Sequence, residues 1–197
     1  MKRDEVVEVL ILLSLCLIQL WWVEKPIIVP FIFLTILVSF LTREEEWLNF
    51  GLGSFTTSLT ILVVFIFIYG FKKIEMISGW QAGFTHLPEK AMRGYFWALG
   101  QQIILNSYLT NRLYSLSNSR TVPTILVVGI IFSLLHLPNI FLTIATLPGG
   151  VIMSAIFLKR KNLYELALLH LTVSTTLYLL VPPKIHHYFV VGYRFYQ

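Results

Sequence analysis

The chain has 197 residues, of which 56% are hydrophobic and 13% are charged, and its mean hydropathy is +0.76. Soluble domains carry about 25% charged residues, so this composition excludes an ordinary soluble protein and predicts an all-α, polytopic membrane helix bundle. The net charge of +5 suits a lipid partner with anionic headgroups and gives no reason to predict a nucleic-acid partner.

Apolar runs of about 20 residues can cross the hydrocarbon core of a bilayer, and the chain contains seven candidates for such spans. The first two are separated only by Glu24, Lys25 and Pro26, which predicts a tight helical hairpin. Pro182 and Pro183 end the last helix. The predicted spans are 6–23, 27–41, 47–71, 94–116, 122–136, 139–158 and 163–181.

A polar and aromatic segment at 72–93 separates the third span from the fourth and is predicted to lie along the membrane interface. We divide the single membrane domain into N-terminal helices with this connection (1–93), a core of four helices (94–181) and a short aromatic and basic tail (182–197). Lys and Arg, with Arg112 counted among the loop charges, are too evenly distributed to decide the orientation.

Polar side chains inside the spans are the most informative residues. They are Gln101, Gln102 and Asn106 in the fourth span, His136 at the end of the fifth and His170 in the seventh. A charged or strongly polar group at the centre of a bilayer costs roughly 2–3 kcal/mol or more, so it normally faces the protein interior and marks a function. Gln102 and Asn106 lie four residues apart and share a helix face, with Gln101 on the adjacent row.

Each histidine also has a companion four residues away. Phe132 precedes His136, and Ser174 follows His170, so each pair shares a helix face. His136 is followed by a Leu-Pro-Asn sequence ending at Asn139, and this helix break predicts backbone groups that are free to bind water or substrate.

These segments resemble the motifs of the CPBP family, which contains CAAX prenyl endopeptidases and bacteriocin-processing or immunity proteins. The first family motif is two Glu followed, after three residues, by Arg. Gln101 and Gln102 take the places of the acids and Asn106 that of the arginine. A second register, with Glu89 and Arg93, lacks the first acid and fits an ordinary helix start better.

The other two motifs, Phe-x-x-x-His and His-x-x-x-Asn, correspond to Phe132–His136 without change and to His170–Ser174 with Ser for Asn. The resemblance covers roughly residues 90–180. It implies an integral, multi-pass protein, placed in a bacterial plasma membrane, and an endopeptidase acting on a membrane-embedded or prenylated peptide. In the family the first Glu activates a water, while the histidines and the Asn position it and stabilise the oxyanion.

A neutral amide at Gln101 cannot accept a proton, so three mechanisms stay open. In the first, a neutral His136 or His170 is the base, held by one of the amides through its second nitrogen. In the second, both histidines bind zinc, although they lack the further ligand that a zinc site needs, and otherwise no cofactor is expected. The third is a non-catalytic binding or immunity protein that keeps the cavity. The predicted catalytic residues are His136, His170, Gln101, Gln102, Asn106 and Ser174, and Phe132 and Asn139 are predicted to contact substrate.

Two other interpretations belong to the later spans. Glu165 is their one acid, and it is predicted to be an interfacial salt-bridge partner rather than a replacement base. Pro148, Gly149 and Gly150 predict an interruption of the sixth span, as in the broken helices of transporters, which makes a small transporter a weaker alternative. Interhelical hydrogen bonding alone would also account for buried Ser, Thr, Asn and Gln side chains.

Overall fold

The structure, a computed structural model, describes residues 2–23, 28–41 and 87–196. Within these ranges the chain is helical and contains no β-strand, which confirms the all-α prediction. The predicted third span, 47–71, and the interfacial segment up to residue 86 lie outside the described residues, so the number of seven spans stays a prediction.

Two helices form the described N-terminal part: α1 (Lys2–Trp21) and α2 (Val29–Leu41). They pack against each other, and the side chain of Gln19 in α1 accepts a hydrogen bond of 2.9 Å from the backbone N–H of Ile28, just before α2.

The remaining helices form the core that carries the predicted motifs. In chain order they are α3 (Leu87–Gln102), a π-helical segment (Ile103–Thr110), α4 (Asn111–Leu116), α5 (Thr121–Leu134), α6 (Ile140–Arg160), α7 (Leu163–Leu180) and α8 (Pro183–His186), with 3₁₀ turns at His187–Phe189 and Gly192–Tyr196. The helix predicted from Gly94 therefore begins at Leu87, and residues 87–93 are helical rather than part of a connection. Pro88 lies in the first turn, where its missing N–H leaves no helical hydrogen bond unmade.

Close helix packing positions the core. α5 packs along α6, and α3 packs along α7. Gly150 in α6 faces Gly129 in α5, and a Cβ added to Gly150 would lie 3.0 Å from the Gly129 Cα. Small residues at such a contact let two backbones approach closely, which is a common way to pack membrane helices.

α6 runs unbroken through Pro148, so the predicted interruption of this span is wrong, and the transporter reading loses the observation that suggested it. A proline removes one hydrogen bond from a helix, and neighbouring helices can hold the rest of the turn in place. Among the described helices, α6 is the one that is long and apolar enough to cross a membrane by length and composition. α5 is a shorter apolar helix.

Candidate active site

The first predicted motif lies where an α-helix changes into a π-helix. α3 ends at Gln102, and the next eight residues form the π-helical segment, in which hydrogen bonds close over five residues instead of four. The hydroxyl of Thr110 donates to the carbonyl oxygen of Leu105 over 2.9 Å, a bond by which a threonine competes with the helical backbone. π-Helical turns are rare in proteins, and those that occur are often at functional sites.

Three side chains spaced four residues apart form a hydrogen-bonded ladder along this segment, which we call the amide ladder. Gln102, Asn106 and Thr110 are each 0% exposed. The Asn106 amide nitrogen donates to Gln102 Oε1, and the Thr110 hydroxyl also reaches Asn106 Oδ1 over 3.0 Å. The shared face predicted for Gln102 and Asn106 is therefore a direct contact, which Thr110 extends by one turn.

The amide ladder joins α6 and α7 to the end of α3 and the π-helical segment. Gln102 Nε2 lies 2.9 Å from Nδ1 of His170 and 3.3 Å from the sulfur of Met153. At the other end of the ladder, Thr110 Oγ1 lies 3.4 Å from the hydroxyl of Ser154. Gln102 and His170, far apart in sequence, are thus in contact inside the protein.

One aromatic ring contacts both predicted catalytic histidines. The Phe132 ring meets the imidazole of His136 edge-on at a centroid distance of 4.7 Å and that of His170 at 6.0 Å. His136 Nδ1 also lies 2.7 Å from the Phe132 carbonyl oxygen. Gly150 makes room for this ring, because a Cβ there would lie 3.2 Å from Phe132 Cδ1.

The backbone at the break after His136 is not free, which corrects the prediction from the sequence. The His136 carbonyl accepts from the N–H of Asn139 over 3.0 Å, and the Leu137 carbonyl accepts from the N–H of Gly192 over 2.9 Å. The His136 N–H donates to the Ser133 carbonyl over 2.9 Å. The donor, Gly192, belongs to the C-terminal tail, so this hydrogen bond could not be predicted from the sequence around His136.

The remaining predicted site residues lie in three different settings. Gln101 Oε1 is buried and has no hydrogen-bond partner among the described residues. Ser174 donates to the Leu171 carbonyl of its own helix over 3.0 Å and does not join the amide ladder. Asn139 caps α6, because its Oδ1 accepts from the Leu142 N–H over 3.1 Å, and its amide nitrogen donates to the C-terminal tail. Their predicted roles in catalysis and substrate binding stay predictions.

A protein-family model matches the part of the chain that contains these residues. The model described as type II CAAX prenyl endopeptidase, Rce1-like, matches residues 59–176, which is more than half of the chain. The chain belongs to this family. Rce1-like proteins are CPBP-family integral membrane proteins, so the resemblance inferred from the motifs is confirmed. Comparisons with curated proteins and with solved structures gave no match.

The matched range contains all three predicted motif segments, and in the predicted register the first of them carries Gln101 and Gln102 in place of its two acids. Within the described residues, no carboxylate hydrogen-bonds to the amide ladder or to the two histidines. Glu165 lies in the first turn of α7 and pairs with Arg160 over 2.7 Å, which confirms its assignment as a salt-bridge partner. The described part of the chain also contains no group of three side chains of the kinds that bind a metal ion.

Three residues that complete the ladder were not predicted from the sequence. Thr110 continues the four-residue spacing of Gln102 and Asn106, and this periodicity was available in the sequence. Met153 and Ser154 contact the ladder from α6. Nothing in their sequence surroundings distinguishes them from other residues of an apolar helix, so only helix packing identifies them.

A second polar cluster lies between α4 and α1. Arg112 is 0% exposed, its Nε lies 3.4 Å from a carboxylate oxygen of Glu8, and its guanidinium lies 5.7 Å from the centre of the Tyr108 ring. Ser115 donates to the carboxylate of the buried Glu5 over 3.3 Å. Arg112 is therefore a buried structural cation, and its assignment to the loop charges is wrong.

Proposed function

We propose that this Rce1-like protein is an intramembrane endopeptidase in which His136 is the general base and His170 is the oxyanion donor. The observation that carries the proposal is that the Nδ1 atoms of the two histidines have different kinds of partner. Nδ1 of His136 faces a hydrogen-bond acceptor, whereas Nδ1 of His170 faces a donor. In a neutral imidazole one nitrogen carries the proton and the other accepts, so the partner of Nδ1 decides the chemistry of Nε2.

For His136 the partner is a backbone carbonyl. The Phe132 oxygen can only accept, so Nδ1 of His136 carries the proton and Nε2 keeps its lone pair. A lone pair at Nε2 suits a general base, which must accept a proton from an attacking water. This assignment narrows the first of the three mechanisms to one histidine.

For His170 the partner is the amide of Gln102, and Met153 decides which amide atom faces it. A thioether sulfur accepts but cannot donate, so the Gln102 atom 3.3 Å from the sulfur is the nitrogen, which also faces His170 Nδ1. Gln102 Oε1 then accepts from Asn106, as the ladder requires. His170 Nε2 therefore carries the proton and can donate to a developing oxyanion.

The reaction that follows conserves protons. His136 takes a proton from water as the water oxygen attacks the peptide carbonyl, and the His170 N–H donates to the oxygen that becomes negative. Collapse of this intermediate breaks the C–N bond, and the proton on His136 moves to the leaving nitrogen. The products are a carboxylic acid and an amine. Oε1 of Gln101 is buried and has no partner in the part of the chain that the structure describes. This supports a role in holding the water, since an amide oxygen accepts a hydrogen bond without accepting the proton.

The substrate class follows from the family rather than from the residues. The family is that of type II CAAX prenyl endopeptidases, so we propose a peptide that is embedded in the membrane or carries a prenyl group. The seven membrane spans and a bacterial plasma-membrane location are part of the same proposal.

A second candidate function is a non-catalytic protein of the same fold that binds a peptide, lipid or immunity partner. The absence of a carboxylate from the described surroundings of the ladder favours it, because both motif acids are amides in this chain. This alternative keeps the ladder but lacks hydrolysis.

The test is cleavage of prenylated and unprenylated peptides by the purified protein in detergent. We would compare the wild type with His136→Ala, His170→Ala and Gln101→Glu. Thr146→Val serves as a matched control, because the Thr146 hydroxyl donates to the Leu142 carbonyl within α6. Cleavage that is lost in both histidine variants and kept in the control supports the endopeptidase. A wild type without cleavage, together with activity gained in Gln101→Glu, supports the non-catalytic protein instead.

A further inference from the structure

The C-terminal tail folds back onto the break that follows His136. Residues 182–196, which we call the C-terminal strap, lie beyond the family match. The amide nitrogen of Asn139 donates to the strap carbonyls of His186 over 2.9 Å and Val190 over 3.1 Å. The strap N–H of Gly192 donates to the Leu137 carbonyl over 2.9 Å. The strap therefore holds both sides of the break.

The strap is also fixed against the first helix. Gly192 has φ +63°, and a Cβ added there would lie 2.3 Å from the carbonyl oxygen of Leu20 in α1. Only glycine fits both the left-handed backbone and this close approach. One residue thus joins the end of α1 to the loop beside His136.

The strap contains a backbone conformation and a buried side chain that are energetically unfavourable. His187, Tyr188 and Phe189 have φ values of 48°, 51° and 61°, in the left-handed region that residues other than glycine rarely adopt. The side chain of His186 is completely buried against Tyr178, and neither ring nitrogen has a hydrogen-bond partner among the described residues. Strained backbone persists where the surroundings over-determine it, and it clusters at functional sites.

We propose that the C-terminal strap and Asn139 form a positioning unit for His136, an inference that rests on the role of His136 in the proposed endopeptidase. His136 lies beyond the last residue of α5, so no continuing helix fixes its backbone. The contacts of Asn139 and Gly192 replace that helix and keep the imidazole on the Phe132 ring. Asn139 is accordingly a positioning residue rather than a substrate-binding one.

Two variants can detach the strap from opposite sides. Asn139→Asp keeps the oxygen that caps α6 but loses both N–H donors to the strap, so it separates the two uses of this side chain. Gly192→Ala places a methyl group against Leu20 and leaves every motif residue unchanged. Thr146→Val is again the control, because its hydroxyl bonds within α6.

The measurement is the rate at which diethyl pyrocarbonate modifies His136, determined by peptide mapping, with His170 as the internal reference. We expect both strap variants, purified as monodisperse protein in detergent, to raise the His136 rate several-fold while the His170 rate and the control stay unchanged. In the cleavage assay we expect kcat to fall about tenfold with little change in KM, because a small misplacement of a catalytic group affects mainly the chemical step.

An unchanged His136 rate in either strap variant, or an equal rise at both histidines, would overturn the positioning unit. A wild type that cleaves no peptide would overturn the endopeptidase instead. The ratio of the two histidine modification rates would still decide the role of the strap in that case.

Discussion

The amide nitrogen of Gln102 lies 2.9 Å from Nδ1 of His170, so a residue of the first motif contacts a histidine in another helix. A carboxylate in the same position would accept a hydrogen bond instead of donating one. In the proposed assignment, an amide in place of the motif acid therefore changes the tautomer of the neighbouring histidine as well as removing a base.

The tautomers can be observed directly. In ¹⁵N-histidine-labelled protein we expect His136 to carry its proton on Nδ1 and His170 on Nε2. Gln102→Glu should move the His170 proton to Nδ1, because the new carboxylate accepts, while the His136 signals stay in place. Nitrogen chemical shifts in detergent measure both changes. Identical tautomers for the two wild-type histidines would contradict the division of roles.

Restoring an acid at the first motif position should increase hydrolysis. We expect Gln101→Glu to raise kcat/KM by about 10²-fold, because a well-placed general base contributes roughly 10²–10⁴. Initial rates on the prenylated peptide measure the gain, and Gln101→Leu serves as the size-matched control. Equal rates for the Glu and Leu variants would show that Gln101 does not face the reacting water.

The amide ladder should also contribute to stability. Gln102→Leu leaves Asn106 and His170 without their buried partner, so we expect a loss of about 1–3 kcal/mol in the free energy of unfolding. Thr176→Ala, whose hydroxyl bonds within α7, should change stability by less than about 0.5 kcal/mol. Denaturant unfolding in detergent compares the two. A Gln102→Leu protein as stable as the control would refute the ladder.

The ion pair between Glu8 and Arg112 should stabilise the packing of α1 against α4. Glu8→Gln removes one carboxylate charge from beside the fully buried guanidinium of Arg112, so we expect it to destabilise the protein by about 3 kcal/mol, the low end for buried pairs because Glu8 is partly exposed. The double variant Glu8→Gln, Arg112→Met should recover part of that loss. A double-mutant cycle of unfolding free energies measures the coupling, and strictly additive effects would argue against it.

Two adjacent glycines offer a matched test of helix packing. A Cβ on Gly150 meets Gly129 and the Phe132 ring, whereas a Cβ on Gly149 meets no described atom of another helix within 4 Å. We therefore expect Gly150→Ala to cost about 1–3 kcal/mol and to displace Phe132 from the histidines, as overpacking does. Gly149→Ala should be neutral or slightly stabilising, since alanine favours a helix. Thermal unfolding ranks the two, and equal midpoints would contradict the close contact.

Local sequence patterns predicted much of this protein correctly because they are themselves local physical causes. Long apolar runs predict helices, and α5, α6 and α7 lie within a few residues of their predicted bounds. The four-residue spacing of Gln102 and Asn106, and of Phe132 and His136, predicts contacts that one helix turn is sufficient to make. The motif order was enough to identify the family that the comparison confirms.

Other predictions failed where a distant segment decided the outcome. The carbonyl of Leu137 is occupied because Gly192 returns to it from the tail. Arg112 is buried next to a carboxylate of Glu8, which lies in the first helix, far away in the sequence. Pro148 does not break α6, and no pattern within that helix announces the close contact that Gly150 makes with Gly129.

The sequence by itself determined the helical membrane class, the family and the positions of the polar side chains, because these depend on composition and on spacing within a helix. Only the tertiary structure decided which atoms of Gln102 and Phe132 face the two imidazoles. A neutral imidazole takes its tautomer from the partner of one nitrogen, and for His170 that partner lies on another helix. The proposed division of roles between His136 and His170 therefore depends on helix packing.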